Sequence, residues 1–525
     1  MKIKMFVFNN CANDARVLKE AKTLTEAGHI VEIVALLDKK TVPDEEKEGF
    51  SIHRLALNPV HLQLIRFFGN PLKFALAYLK GSNSETEITA PKKRGRGLFG
   101  SVVMRMRIWN RKLRKKIIAN RQAQFEHPSL MHADNRKLVL SAVFSSPAIL
   151  SQVLFFAVAY LVFRSYRLGR WVVIKSYRYI KIGIQRSAKF LIQKPLKWLL
   201  LPWHKYFTYH DFYRKAMSWS TLHPADVYHC HDLNTLKIGI ELKRRQKALL
   251  VYDSHELYLH KNRIFKPGRI KQMILERIER KGMNLADTVI TVGACIAEWM
   301  AEKYKVTTPT VILNAPKFKE ANEGVKDGVS LRSALNIPQE KFLLIYSGGI
   351  TFNRGLENVI KAVSQIDDIF FVMLGYGNDD YLASLRKLII DEEAQDKISF
   401  YGPVPHAEVA SYLASADCGI APIMNICLSY YFCAPNKLFE FVQARLPVLA
   451  SNFPEMQKVI DDNDIGLTFD PANVQSIIDS IMSMKTNDEK REYYRGNTHS
   501  AAMNYNWRVE EEKLKAIYNR LIEAA

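Results

Sequence analysis

A chain of 525 residues exceeds one ordinary domain, so two or three are expected. Apolar residues at 48% supply material for packed cores, and charged residues at 24% exclude a wholly disordered chain. The net charge of +22 is concentrated: residues 91–215 hold 27 Lys/Arg against 3 Asp/Glu, which leaves the remainder close to neutral and assigns any anionic partner to one segment.

Residues 2–8 read as a buried first strand, and the loop NNCAND follows. Asp14 suits the N-cap of a helix on which Val17, Leu18, Ala21, Leu24 and Ala27 recur at helical spacing, and Gly28 suits its stop. A strand at 30–36 and a third at 50–57 make this the opening of a parallel sheet covered by helices. The opening apolar run is only a strand's length, so no secretory signal is read there.

Alternation of strand and helix stops between about 60 and 220. Residues 138–163 carry no charge, and as a helix they would extend about 39 Å, enough for a hydrocarbon core of about 30 Å. Pro147 and four serines weaken a spanning reading, and basic residues flank both ends. Strands before 60 and after 226 are expected in one sheet, which a single crossing would separate. The segment is therefore expected to be a re-entrant or surface-lying helix, a two-pass hairpin or a core helix. The stretch 178–207 mixes Lys and Arg with Trp, Tyr, Leu and Ile, as an interfacial helix does. Membrane-surface association through 91–205 is the expectation; no nucleic-acid module is visible.

Alternation resumes with strands at 226–232, 248–257, 287–292 and 311–314. A polar stretch from 316 to 340 reads as a linker. Six further strands begin at 341, 370, 397, 417, 447 and 465, separated by helices, and a final helix covers about 508–523. The fold expected is α/β: two Rossmann-like doubly wound domains with a basic, apolar helical insert. The first domain spans 1–315, interrupted by the insert at 60–220. The second spans 341–505, and 506–525 forms the C-terminal helix. Ligands of such sheets bind beyond the carboxyl ends of the strands.

Three clusters fall at such ends. Gly348 and Gly349 follow a buried strand, and Arg354-Gly355 opens a helix; glycine admits an anion to the backbone, and the helix start with Arg354 attracts it. A tight turn explains the glycines equally well. In 434–440, Pro435 suits a helix start, Asn436 and Lys437 lie in the first turn, and Glu440 follows one turn on, able to accept both hydroxyls of a ribose. A capped surface helix is the plain alternative. His229 and His231 share one face of a strand, but the sequence offers no third ligand nearby, so no metal is expected. His231 with Asp232, and His255 with Glu256 at the next strand end, are expected to reach the cleft. The six cysteines (11, 230, 295, 418, 427, 433) form no CxxC pair and read as reduced thiols of a cytoplasmic protein.

The segments 346–363, 371–385, 398–422 and 435–451, together with 13–36, 226–236, 251–257 and 311–316, resemble the retaining nucleotide-sugar glycosyltransferases of family 4, which have the GT-B fold. The resemblance implies a nucleotide-sugar donor, UDP-linked, in the C-terminal domain and a lipid-linked or glycan acceptor at the N-terminal one. It implies no cofactor and no metal. Arg354 resembles the family's diphosphate-contacting basic residue, Glu440 its ribose-binding glutamate, and His231 its cleft histidine. Gly375 and Gly377 are expected on the nucleotide side, with Val404 where the backbone meets the base. Donor binding is thus expected at Gly348, Gly349, Arg354, Gly375, Gly377, Val404, Asn436, Lys437 and Glu440, and catalysis at His231, Arg354 and Lys437. Acceptor contacts are expected at Asn10, Asn13, Arg16, Asp232, His255 and Glu256. Phe432 stands where the family carries the first of two glutamates, and NNCAND replaces its glycine-rich turn. The implied activity is retaining transfer in surface polysaccharide assembly at the cytoplasmic face of the cell membrane. A nucleotide-sugar 2-epimerase and an inactive membrane-bound scaffold are the alternatives.

Overall fold

The computed structural model describes residues 1–69, 193–263, 268–318, 330–405 and 408–523. The chain divides into two compact units, one made of Met1–Pro59 with Lys205–Ala525 and the other of Val60–His204. The expected helix at 138–163, and most of the basic segment 91–205, lie outside the described residues. No described helix is long and apolar enough to cross a membrane.

The first unit contains two sheets. One is built from β1 (Lys2–Phe6), β2 (Ile30–Leu36), β3 (Asp44–Lys47), β4 (Phe50–Leu55), β5 (Val227–His231), β6 (Leu249–Ser254), β7 (Thr288–Thr291) and β8 (Thr310–Val311). Their order is β3-β4-β2-β1-β5-β6-β7-β8. The chain on either side of the insertion does meet in one sheet: β1 and β5 are parallel neighbours, with Ile3 opposite Val227. Both faces are covered by apolar cores, so the strands carry nearly continuous runs of Val, Ile and Leu.

The other sheet is built from β9 (Phe342–Ser347), β10 (Ile369–Leu374), β11 (Ile398–Tyr401), β12 (Cys418–Ala421), β13 (Val448–Ser451) and β14 (Gly466–Phe469). Its order is β11-β10-β9-β12-β13-β14, with every pair parallel. That is the doubly wound arrangement, and its direction reverses between β9 and β12. In the first sheet the reversal falls between β1 and β5. Loops leaving the carboxyl ends at these two points diverge and leave room for a ligand.

Three features depart from the sequence reading. β3 is an antiparallel edge strand of sequence DEEK; its lack of apolar alternation hid it, and Glu45 ties it to buried Arg54 of β4 at 2.7 Å. The helix His204–Leu222, expected within the insert up to residue 220, packs Phe212, Ala216 and Met217 into the first sheet's core. Its mixture of Tyr, His, Lys and Trp resembles the basic stretch before it, so composition alone set that boundary too late. The last helix, Trp507–Glu523, follows two helices of the second sheet yet packs on the first.

That return is anchored at several points. Trp507, Leu514, Ile517, Tyr518 and Leu521 bury against Val17, Ala21 and Leu24 of the Ala15–Glu26 helix. The Trp507 indole donates to Thr23 Oγ1 at 3.0 Å, and Lys19 lies 4.5 Å from its ring centroid. Glu510 accepts from Leu313 N at 2.9 Å. A second tie runs between Glu455, at the start of the Pro454–Asp461 helix, and the first-turn amides of Ala294 and Cys295, at 3.0 and 2.7 Å.

In the second unit the described residues form the helices Val60–Gly69 and Gln193–Leu200, and His61 and His204 meet at 2.8 Å between ring nitrogens. Trp198, Leu201 and Trp203 are 58%, 48% and 61% exposed.

Truncating the Trp507 anchor, Trp507→Ala, is expected to cost about 3–5 kcal/mol of stability, the range for a buried aromatic. Urea unfolding followed by circular dichroism measures this, and a cost below about 1 kcal/mol would show that the anchor is not used.

Candidate active site

A cavity of about 840 Å³ lies between the carboxyl ends of the two sheets. From the second sheet its wall is made by Gly348, Gly349 and Arg354 after β9, and by Asn436, Lys437 and Glu440 of the Asn436–Gln443 helix. From the first sheet come Asn10, Asn13 and Arg16 after β1, and His255 and Glu256 after β6. Two sequence-distant sets of expected residues therefore share one cavity.

The second-sheet wall is positive. Lys437 is 8% exposed, and its Nζ makes no hydrogen bond; it sits 3.3 Å from the Tyr346 ring centroid. Burial, reinforced by nearby Arg354, holds its pKa well below the ordinary lysine value, against the opposing pull of Glu440. The Arg354 guanidinium stacks over Tyr430 at 4.9 Å and has no carboxylate partner among the described residues. The Asn436–Gln443 helix follows Pro435, which offers no side-chain cap, so its first amides keep their capacity for an anion. Two cations and a helix start thus face one space with less negative charge than they can bind.

Gly375 and Gly377 do not line the cavity; they shape it. Gly348 N donates to Leu374 O at 2.9 Å, and Ile350 N to Tyr376 O at 2.8 Å, so the loops after β9 and β10 run side by side. A Cβ on Gly375 would lie 2.0 Å from Gly348 O, and its φ of +155° is one that side chains rarely adopt. Val404 follows β11 and packs against the core rather than the cavity.

The first-sheet wall differs in that its charges are already matched. The Asp253 carboxylate, fully buried, takes Arg16 Nε and Nη2 at 2.9 Å each and His255 Nε2 at 3.0 Å. Arg16 Nη1 also donates to Ile312 O at 2.7 Å. Against the cost of burial, Arg16 and His255 hold the Asp253 carboxyl well below the usual range, while Asp253 and Asp232 push His255 up to about 9. Arg16 was expected to contact an acceptor; its guanidinium is instead consumed by this network.

His231 also departs from expectation. β5 is a central strand with all five residues buried, and His231 is 1% exposed, behind His255 at 3.1 Å. His255, not His231, lines the cavity. Asp232, at φ 61°, accepts from His255 N at 3.3 Å and does not line the cavity either. Asn10 spends its side chain on Asp38 and on Ala12 N, whereas Asn13 is exposed and has no such bond. Glu256 pairs with Lys261 at 2.7 Å.

Several lining residues carried no signal in sequence. Tyr346 looks like any residue of a buried strand, and Tyr430 lies in the short helix Leu428–Tyr431, which no apolar spacing predicts. Asn314, in the turn after β8, presents a buried Oδ1 with no partner. Phe432 has a physical role: with Leu428 it packs on the core of the first sheet, so an apolar tie between the domains occupies the position where the resembled family places a glutamate. The absence of a third ligand beside His229 and His231 is corrected as well, because folding brings Glu20 and Asp253 to them.

Gly375→Ala is expected to push the loops after β9 and β10 apart. It should lower the thermal midpoint, read by differential scanning calorimetry; an unchanged midpoint would show that the loop contact does not shape the cavity.

Residues 330–500 match the family model described as glycosyl transferases group 1, and residues 184–315 match that of glycosyltransferase family 4. Among curated relatives, a phosphatidyl-myo-inositol mannosyltransferase of Mycobacterium leprae is 25% identical over 177 residues, covering 31% of this chain and 42% of that protein. A putative colanic acid biosynthesis glycosyl transferase of Escherichia coli K12 is 24% identical over 242 residues, covering 43% and 57%. The chain thus spans roughly half the length of these relatives. Solved structures with a similar fold include sucrose-phosphate synthase from Thermosynechococcus elongatus, with TM-score 0.62 and 13% identity over 100% of both chains. WaaG, a glycosyltransferase involved in lipopolysaccharide biosynthesis, gives TM-score 0.54 and 10% identity over 98% and 99%. With two doubly wound sheets and matching family segments in both, the chain belongs to the group 1 glycosyltransferases of the GT-B fold.

Proposed function

We propose that this protein transfers a sugar from a nucleotide-sugar donor, UDP-linked, to a lipid-linked glycan acceptor with retention of configuration, in surface polysaccharide assembly. The observation that carries the reading is the pair of cations Arg354 and Lys437, neither in a salt bridge among the described residues, beside the start of the Asn436–Gln443 helix. Departure of a nucleoside diphosphate concentrates negative charge on its terminal phosphate. Preorganised donors at that point stabilise the transition state more than the ground state. Charge neutralisation is assigned to these side chains and amides rather than to a metal ion, and no cofactor takes part. Glu440, one turn beyond Asn436, is assigned to the ribose hydroxyls.

Retention follows in this proposal from attack on the face the phosphate leaves, with that phosphate taking the acceptor's proton. His255 and Asn13 stand on the opposite wall, where the acceptor hydroxyl must enter. Domain closure excludes water from the reacting sugar.

Phe432 favours one other reading, a scaffold without transfer, because the apolar ring cannot accept sugar hydroxyls. A 2-epimerase of the same fold would release free nucleotide without an acceptor, whereas transfer requires one. Arg354→Ala and Glu440→Ala are each expected to lower transfer by about 10²–10³-fold or more, the scale for losing one preorganised donor, with circular dichroism unchanged. Wild-type rates in both folded variants, or no UDP binding by the wild-type chain in calorimetry, would reject the donor pocket.

The same proposal places the protein at the cytoplasmic face of the cell membrane. The excess of Lys/Arg within 91–215 and the exposure of Trp198, Leu201 and Trp203 support this, since aromatic and basic residues partition together to an anionic interface. Removing residues 91–205 should shift the protein from the pelleted to the soluble fraction. Retention on vesicles containing anionic lipid after the deletion would overturn the assignment.

A further inference from the structure

Behind the cavity, four potential ligand groups converge from three elements that lie far apart in sequence. Glu20 comes from the Ala15–Glu26 helix, His229 and His231 from alternate positions of β5, and Asp253 from β6. Their ligand atoms all lie within 4.8 Å of one another. All four side chains are buried, at 0%, 0%, 1% and 0% exposure.

The hydrogen bonding in this cluster is one-sided. His229 turns Nδ1 to the Tyr518 hydroxyl at 2.9 Å, and His231 turns Nδ1 towards Asp253 Oδ2 at 3.3 Å. Both Nε2 atoms are left without a hydrogen-bond partner, as are both oxygens of Glu20. Glu20 Oε1 lies 2.9 Å from Arg16 Nε, but the single hydrogen of that nitrogen is spent on Asp253 Oδ2. Glu20 Oε2 and His229 Nε2 are 3.7 Å apart, too long for a hydrogen bond. It is close to the edge of a tetrahedron with metal–ligand bonds of about 2.1 Å, which is roughly 3.4 Å. Buried polar atoms without partners are costly, and four of them within one cluster need a common explanation.

We propose that Glu20, His229 and His231 form a buried divalent-cation site of the zinc type. Two imidazole nitrogens and a carboxylate are the donors that zinc accepts in preference to magnesium or calcium, which take oxygen. Nδ1 of His229 is held by the Tyr518 hydroxyl, and Nδ1 of His231 by His255 Nε2 at 3.1 Å with Asp253 Oδ2 at 3.3 Å, which leaves each Nε2 for the ion. Asp253 stays outside the coordination sphere, its charge offset by the Arg16 fork, and orients His231. Glu20 supplies the negative charge that the ion itself meets. The ion would join the Ala15–Glu26 helix to β5 directly behind His255. Its role is structural and separate from the donor wall, where Arg354 and Lys437 supply the charge.

The test uses the full chain, stripped with chelator, incubated with Zn²⁺ and then passed through gel filtration for metal analysis. One equivalent should be retained, and Co²⁺ in its place should give the visible absorption of a tetrahedral site with nitrogen and oxygen donors. Zn²⁺ should also raise the thermal midpoint, because it binds only the folded chain. Glu20→Gln and His229→Gln should each weaken retention by at least tenfold. The Co²⁺ spectrum of the wild-type chain is independent of whether either variant folds. Less than about 0.1 equivalent in the wild-type chain would overturn the site. Undiminished retention in either folded variant, or an octahedral Co²⁺ spectrum, would overturn it as well.

Discussion

A lysine and a guanidinium held beside each other, with no salt bridge to either among the described residues, set the terms for the rest of this structure. Lys437 and Arg354 repel one another, and burial disfavours the charged lysine further. The arrangement persists because it rests on rigid supports. Tyr346 is fixed in β9 beneath the lysine, and Tyr430 lies under the guanidinium. The glycine-lined loops after β9 and β10 are locked together by two backbone bonds. Repulsion within this like-charged pair is relieved by an anion, which is why the proposed function places a diphosphate here.

The opposite wall follows another logic. Its Asp253, Arg16 and His255 satisfy each other almost completely, so little charge is left for a ligand. That wall presents amides such as Asn13 and Asn314 beside the imidazole. Charge is thus divided between the domains: unmatched on the second-sheet wall, matched on the first-sheet wall. The same network extends one layer back to His231, His229 and Glu20, linking the surface facing the cavity to the packing of the helix behind it.

The relative placement of the two walls depends on contacts that cross between the domains. The Trp507–Glu523 helix returns to the first sheet, Glu455 caps the helix that begins at Ala294, and Phe432 with Leu428 enters the first sheet's core. The Phe432 contact lies within the loop between β12 and the Asn436–Gln443 helix, so it couples the approach of the domains to the position of Lys437. An acidic residue could not be buried there without a partner. The apolar substitution is therefore consistent with a loop used for docking as well as for lining the site.

Much of the fold was legible in the linear chain. Alternating strands and helices on both sides of the insert, and the six strands of the second sheet, follow from local apolar runs and their spacing. The positions of Gly348, Gly349 and Arg354 after β9, and of Lys437 and Glu440 at the start of the Asn436–Gln443 helix, follow as well, because each is close in sequence to the element that places it. Not legible were β3, whose pairing rests on charge contacts with β4, and the helix His204–Leu222, whose composition matches the insert. What the sequence by itself determined is the architecture and the second-domain residues that face its crevice, since each depends on neighbours a few positions away. Only the tertiary structure decided that His255 rather than His231 meets the cavity, that Arg16 is spent on Asp253, and that Glu20 joins two histidines more than two hundred residues on. Burial of a strand end and the pairing of charges depend on which distant elements cover them, and local spacing carries no record of that.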